Sequence, residues 1–245
     1  MALIGYANPS RFLNAVDSVL PWLAAATALA FALGLNQALY VAPDDYQQGA
    51  TVKIMFIHVP AAWLAMFAWA LMALAALGTL VWRHPLADVA AKSAAPLGAA
   101  FAFICLVTGS LWGRPMWGAY WVWDARLTSV LVLFLMYLGI IALWRTVEDP
   151  TRAGRAAAIL ALVGGINLPV IKFSVDWWNT LHQPASVFRF GGPSIHPSLL
   201  VPLAIMAVAF TLLFISLHLA AMRNEILRRR VRTLRLMQAQ AVPEA

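Results

Sequence analysis

Charge is scarce in this sequence: 17 basic and 10 acidic side chains make up 11% of its 245 residues, where a soluble domain would carry roughly 25%. Such a chain could not cover its own surface with polar groups in water, which excludes a soluble globular domain. Cysteine is scarcer still. Cys105 is the single one and lies inside an apolar run, so neither an internal disulfide nor a CxxC pair exists. There is no GxxxxGK[ST] phosphate loop and no GxGxxG turn, so the chain is not itself an ATPase or a nucleotide-dependent oxidoreductase.

What is present is apolar length. Hydrophobic residues make up 62% and the mean hydropathy is +0.78. A helix crossing the hydrocarbon core takes about 20 residues at a rise of 1.5 Å each, and six runs qualify, at about 19–40, 60–82, 93–111, 127–144, 157–175 and 198–221. The expected fold is all-α: one polytopic membrane domain over 1–245, with a basic tail at 222–245. A cleaved signal peptide is the alternative for the first run, but Asp17 and a single preceding Arg11 favour an uncleaved anchor.

Basic residues orient the spans. With the N-terminus inside, twelve Lys and Arg fall in inner segments and five (Lys53, Arg114, Arg126, Lys172, Arg189) in outer ones. This predicts cytoplasmic termini and accounts for the net charge of +7 without a nucleic acid. In the tail, Leu227, Val231 and Leu234 stand at i, i+4 and i+7 among arginines. That pattern fits either a helix lying on an anionic inner leaflet or a plain stop-transfer anchor.

The outer side collects the unusual residues. Trp112, Trp117, Trp121, Trp123 and Tyr120 crowd twelve positions between spans three and four, and Trp177 and Trp178 follow span five. Six outer tryptophans against three near the inner boundary (Trp22, Trp82, Trp144) exceed an interfacial belt, which enriches both faces. Pro115 and Gly118 punctuate the segment. From Trp117 onward, the i, i+4 pairs Trp117/Trp121 and Tyr120/Asp124 predict a short interfacial helix with an aromatic face. Such a face suits a broad, flat, apolar ligand. Arg114 and Arg126 bracket it, placed either to pair with ligand carboxylates or, for Arg126, to pair locally with Asp124.

Histidines narrow the ligand. His84 and His218 fall near the inner face, where solvated or interfacial roles suffice; His58, His182 and His196 fall outside. His58 precedes Pro60, expected in the first turn of span two, so it would sit at that helix's mouth. Three histidines without a Cys or Glu cluster make a poor zinc set. A haem needs two axial ligands, apolar walls and arginines for its propionates, and fits the inventory best. His196, at the start of span six, is the weaker ligand candidate. Asp176, i+4 from Lys172, is expected to form a boundary ion pair, and Asn167 and Pro169 to serve packing and a kink.

Trp112-Gly113-Arg114-Pro115-Met116-Trp117-Gly118, followed by Trp121-Val122-Trp123-Asp124-Ala125-Arg126, resembles the "WWD" segment of haem-handling membrane proteins. Together with Tyr46-Gln47-Gln48-Gly49, Ile57-His58-Val59-Pro60 and Trp177-Trp178-Asn179-Thr180-Leu181-His182, the chain is similar to the haem-exporter C (cytochrome c maturation protein C) family from about residue 20 to 220. That resemblance implies an inner-membrane protein holding haem b, as transient non-covalent cargo, at the periplasmic face, with axial histidines matching His58 and His182. It also implies hand-over to the periplasmic chaperone, cytochrome c maturation protein E, alongside ABC-type subunits A and B and the small protein D. Segment 184–197 matches the family pattern least. Three readings compete with presentation: a subunit conducting haem or another solute across the bilayer, an enzyme (a cytochrome c haem lyase or a quinone-linked oxidoreductase), and a purely structural partner of the ABC subunits.

Overall fold

A computed structural model describes residues 8–184 and 186–241. Among them there is no strand, and six helical stretches are long and apolar enough to cross a membrane. We label the helices α1 (Pro9–Asn36), α2 (Met55–Leu80), α3 (Ala87–Trp117), α4 (Ala125–Thr146), α5 (Pro150–Gly164), α6 (Asn167–Trp177) and α7 (Pro197–Ala241). The all-α, six-span expectation therefore holds. The last tail residues, 242–245, lie outside the described ones.

Helix ends depart from the apolar windows for identifiable reasons. Span two starts earlier than Pro60: a 3-10 turn at Ala50–Ile54 runs into α2, so His58 lies inside the helix rather than at its mouth. Span three begins at Ala87 because the polar residues of its first two turns are neutralised across the bundle: Asp88 pairs with Arg229 and Lys92 with Glu225. Span five is two helices. Asp149 caps α5 by accepting the N–H groups of Thr151 and Arg152, and the chain breaks at Gly165–Ile166 rather than at Pro169. Asn167 Nδ2 donates to the Ser129 carbonyl at 2.8 Å, tying α6 to α4, as its expected packing role required.

The helices α2 and α3 form the central pair; α1 and α7 pack together on one side, and α4, α5 and α6 on the other. Lipid chains are as apolar as leucine, so close packing and interhelical hydrogen bonds hold such a bundle. Two large side chains key the centre. Trp69 donates to the Ala161 carbonyl at 2.9 Å, and Tyr137 to the Ala65 carbonyl at 2.7 Å; their rings meet edge-to-face at 4.8 Å. Glycines make the seats: a Cβ at Gly98 would lie 2.1 Å from Tyr137 Cζ, and one at Gly164 would lie 2.4 Å from Trp69. Cys105 is buried and free in this core.

One end of the bundle is rich in tryptophan and the other in arginine. At the Arg-rich end α7 continues unbroken to Ala241, so the basic tail is an extension of span six rather than a separate helix turned along a surface. Glu225 accepts from Arg229 at 2.8 Å and from Lys92 at 3.1 Å, and also pairs with Arg228. Arg223 pairs with Asp17 of α1. His218, expected in a solvated or interfacial role, is buried and stacked on Phe214 at 5.5 Å.

Candidate functional site

At the Trp-rich end the chain between α1 and α2 turns tightly. Asp45 Oδ1 accepts the N–H groups of Gln47 and Gln48, both at 2.9 Å, and Gly49 closes the loop at φ 55°, a conformation that favours glycine. Gln48 is thereby held against α3, where its Oε1 accepts from Trp112 Nε1 at 2.9 Å. The Trp112 ring stands edge-on to His58, with centroids 5.7 Å apart.

The proton on the His58 ring is assigned by its neighbour. Thr108 Oγ1 donates to the Ile104 carbonyl at 2.6 Å, so its hydroxyl hydrogen is committed, and it meets His58 Nδ1 at 3.0 Å. The oxygen must then accept, which places the proton on Nδ1 and the lone pair on Nε2. Gly109 leaves room for the ring: a Cβ there would come within 2.9 Å of His58 Cε1.

His182 is organised in the same sense by a different partner. Asp124 ends the Trp-rich loop and caps α4, its Oδ1 accepting Leu127 N–H at 2.7 Å. Its Oδ2 lies 3.2 Å from His182 Nδ1. A buried carboxylate beside Nδ1 takes that N–H and leaves Nε2 as the lone-pair nitrogen. Burial lowers the His182 pKa from 6.5; the hydrogen bond and charge of Asp124 oppose this, and the Arg126 charge adds to it. Trp117 packs its ring against His182 at 4.9 Å, seated over Gly113, where a Cβ would lie 2.9 Å from that indole.

The remaining predicted residues surround this pair with less order. No short helix follows Trp117: α3 ends there because Gly118 takes φ 80°, its N–H bonding to the Arg114 carbonyl at 3.0 Å, and the chain then runs non-helically to Asp124. The i, i+4 spacings beyond Trp117 therefore have no helical meaning. Arg114 donates to the Gly118 carbonyl and lies over the Tyr120 ring at 5.6 Å. Trp121 meets Trp123 edge-on at 5.4 Å, and its buried Nε1 has no partner among the described residues. Tyr120 and Trp123 are exposed.

Arg126 turns from Asp124 to donate to Ser174 Oγ and the Lys172 carbonyl, each at 3.2 Å, so the local Asp124–Arg126 pair does not form. Neither does the Asp176–Lys172 pair among the described residues. Trp177 stacks on Phe173 and meets Trp178 edge-on, and both indoles remain half-exposed. His196 is exposed and bonded to Ser198 Oγ at 2.8 Å at the start of α7. Thr108, Gly109 and Ser174 carry site geometry that the sequence reading passed over. Their one signal is the polar interruption Thr108-Gly109-Ser110 late in an apolar run.

Among the described residues no group of three or more His, Cys, Asp or Glu is placed to hold a metal ion. The arrangement instead offers two imidazoles with free Nε2 atoms, beside indole walls and with cations nearby. That donor set suits a flat, apolar, iron-bearing ligand with two axial positions.

Comparison with known proteins bears on the same chemistry. Residues 2–237 match the family model described as Heme exporter protein C. A Bradyrhizobium diazoefficiens protein named Heme exporter protein C is 74% identical over 239 residues, covering 98% of this chain and 90% of that protein. The Escherichia coli K12 protein of the same name is 48% identical over 221 residues, covering 90% and 89%. A Marchantia polymorpha mitochondrial protein, whose name includes "cytochrome c biosynthesis ccmC-like", is 46% identical over 179 residues, covering 73% and 75%.

Proposed function

The chain belongs to the heme exporter protein C family, and from that premise we propose that it holds haem between His58 and His182 at its Trp-rich end. In this reading that end faces the periplasm, and haem is presented there to a periplasmic chaperone. Family membership itself makes the chain a multi-pass inner-membrane component of a haem exporter complex with a haem-handling role in cytochrome c maturation, and in this reading it delivers haem and is not an enzyme.

One observation carries the finer reading. Both imidazoles spend Nδ1 on a partner, Thr108 for His58 and Asp124 for His182, and metal-bound histidines are oriented by such contacts. Neutral Nε2 atoms then supply the axial positions of haem b, held non-covalently and transiently. Trp112 and Trp117 wall the imidazoles, and Trp121, Trp123, Tyr120, Trp177 and Trp178 extend the aromatic surface on which the macrocycle rests. Arg114 and Arg126 are the propionate partners, Arg126 keeping its bonds to Ser174 and Lys172. Asp124 orients His182. The twelve-to-five asymmetry of basic residues supports cytoplasmic termini. The partners are cytochrome c maturation protein E as acceptor, with subunits A, B and D; the chain acts as one domain, its tail basic and cytoplasmic.

The test is the optical spectrum of the purified chain reconstituted with haem. A six-coordinate, bis-histidine spectrum is expected. His58→Ala or His182→Ala alone should leave a five-coordinate or exogenously ligated species, and the two together should abolish both spectrum and transfer to the chaperone. Intact spectrum and transfer in the double variant would overturn the axial assignment. Thioether formation with an apocytochrome by this chain alone would point to a lyase instead.

A further inference from the structure

The Arg-rich end holds a second feature that the haem reading does not use. A cleft of about 420 Å3 opens between α3, α4 and α7. The helix α3 packs on both others, while α4 and α7 flank it without extensive packing on each other. Lys92, Arg145 and Arg228 line the cleft with a single carboxylate, Glu225, so three cations against one anion leave an excess of two positive charges. Glu225 is already engaged by Lys92, Arg228 and Arg229, and Arg145 is exposed with no partner among the described residues. One wall is apolar, formed by Pro96, Leu97 and Ile141.

Two donors in this wall are buried and unanswered. Ser93 Oγ and Trp144 Nε1 have no hydrogen-bond partner among the described residues, and Ser93 is only 6% exposed. Buried polar atoms without partners are uncommon in native proteins and point to a group that completes them. Here the completing group must accept hydrogen bonds, carry negative charge and continue into an apolar part. Trp144 and Arg145 stand at the end of α4, where an indole and a guanidinium mark the boundary between hydrocarbon and headgroups.

We propose that this cleft is a binding site for an anionic phospholipid. Its phosphate lies among Lys92, Arg145 and Arg228 and accepts from Ser93 and Trp144, and an acyl chain lies along Pro96, Leu97 and Ile141. A free anion would leave the apolar wall unused, and a zwitterionic lipid would bring an ammonium into a cleft already positive. Basic pockets between spans bind acidic headgroups by this combination. The lipid would join α4 to α3 and α7, where no side-chain ion pair does so.

Native mass spectrometry of the full chain, delipidated in detergent and titrated with phosphatidylglycerol or phosphatidylethanolamine, tests the site. One phosphatidylglycerol per chain should be retained and phosphatidylethanolamine should not. Arg145→Gln with Arg228→Gln should weaken retention about thirtyfold, and Ser93→Ala should weaken it less. Ile141→Trp, which fills the apolar half without changing charge, should also lower it, with a thermal melt confirming that each variant is folded. Equal binding of the two lipids overturns the proposal, as does undiminished binding in the folded double variant. Displacement by inorganic phosphate alone would make this a small-anion site, and one-for-one displacement by haem would make it a second place for the cargo; either outcome overturns the lipid assignment.

Discussion

Two polar groups, the carboxylates of the Arg-rich end and the imidazoles of the Trp-rich end, are used in opposite ways. At the Arg-rich end three carboxylates are saturated: Glu225 engages three cations, Asp88 takes Arg229 and Asp17 takes Arg223, and these pairs bind α7 to α1 and α3. At the Trp-rich end each imidazole is fixed by one nitrogen and left open at the other, and Trp121 keeps an unpaired indole N–H. Saturation is what a joint needs, and spare valence is what a ligand needs. The first group should therefore matter for stability and the second for binding.

Glu225→Ala is the severest way to break that division on the structural side. Removing one member of a largely buried ion-pair network leaves its cations uncompensated, which costs about 3–5 kcal/mol in a closed interior. Arg228 and Arg229 are substantially exposed, so solvent reduces this to about 2 kcal/mol. A melt of the detergent-solubilised protein should fall accordingly while the haem spectrum of the folded fraction stays unchanged. A spectral change at constant melting temperature would erase the distinction between the ends.

Asp124→Asn probes the other side. Asparagine still caps α4, so the fold should hold. It is no longer a carboxylate acceptor for His182 Nδ1–H, and loss of such an orienting partner typically costs 10–100-fold in metal affinity. Haem titration should show a loss in that range with little change in melting temperature. Thr108→Val, close in shape, removes the acceptor for His58 Nδ1. It should weaken haem binding by about tenfold, the low end of the same range, because a hydroxyl orients less firmly than a carboxylate.

How far the sequence could be read depends on range. The spans were legible because each is a continuous apolar run, whereas their ends were not. Ala87 begins α3 because Asp88 finds Arg229, 141 residues later in the chain, and no hydropathy window contains that partner. The expected helix after Trp117 rested on spacing alone, and the left-handed Gly118 overrode it. In the candidate site, Trp, His and Arg stand out by type, so they could be picked from the sequence. Thr108, Gly109 and Ser174 look like ordinary span residues until α2 is set beside α3 and α4 beside α6. The local pair expected for Asp176, and the one open as an alternative for Arg126, do not form; Arg126 instead finds acceptors on α6, which the chain order hides.

The smallest effect is also the most discriminating, because its direction differs between two neighbours. Only neutral His182 can ligate iron through Nε2, so protons compete with iron and ligation is lost as pH falls, at a midpoint that moves with the imidazole pKa. Burial holds that pKa below 6.5, so six-coordination should persist to more acidic pH than an unperturbed imidazole allows. Asp124 raises the pKa and Arg126 lowers it. Arg126→Gln should therefore raise the midpoint for loss of the six-coordinate spectrum, so that ligation fails at higher pH. Asp124→Asn should move the midpoint of whatever haem remains bound the other way. Spectrophotometric titration of both variants beside the parent chain reads this directly. Shifts of the same sign would mean that the transition is not the titration of His182, and the Asp124 contact would then be a cap for α4 and nothing more.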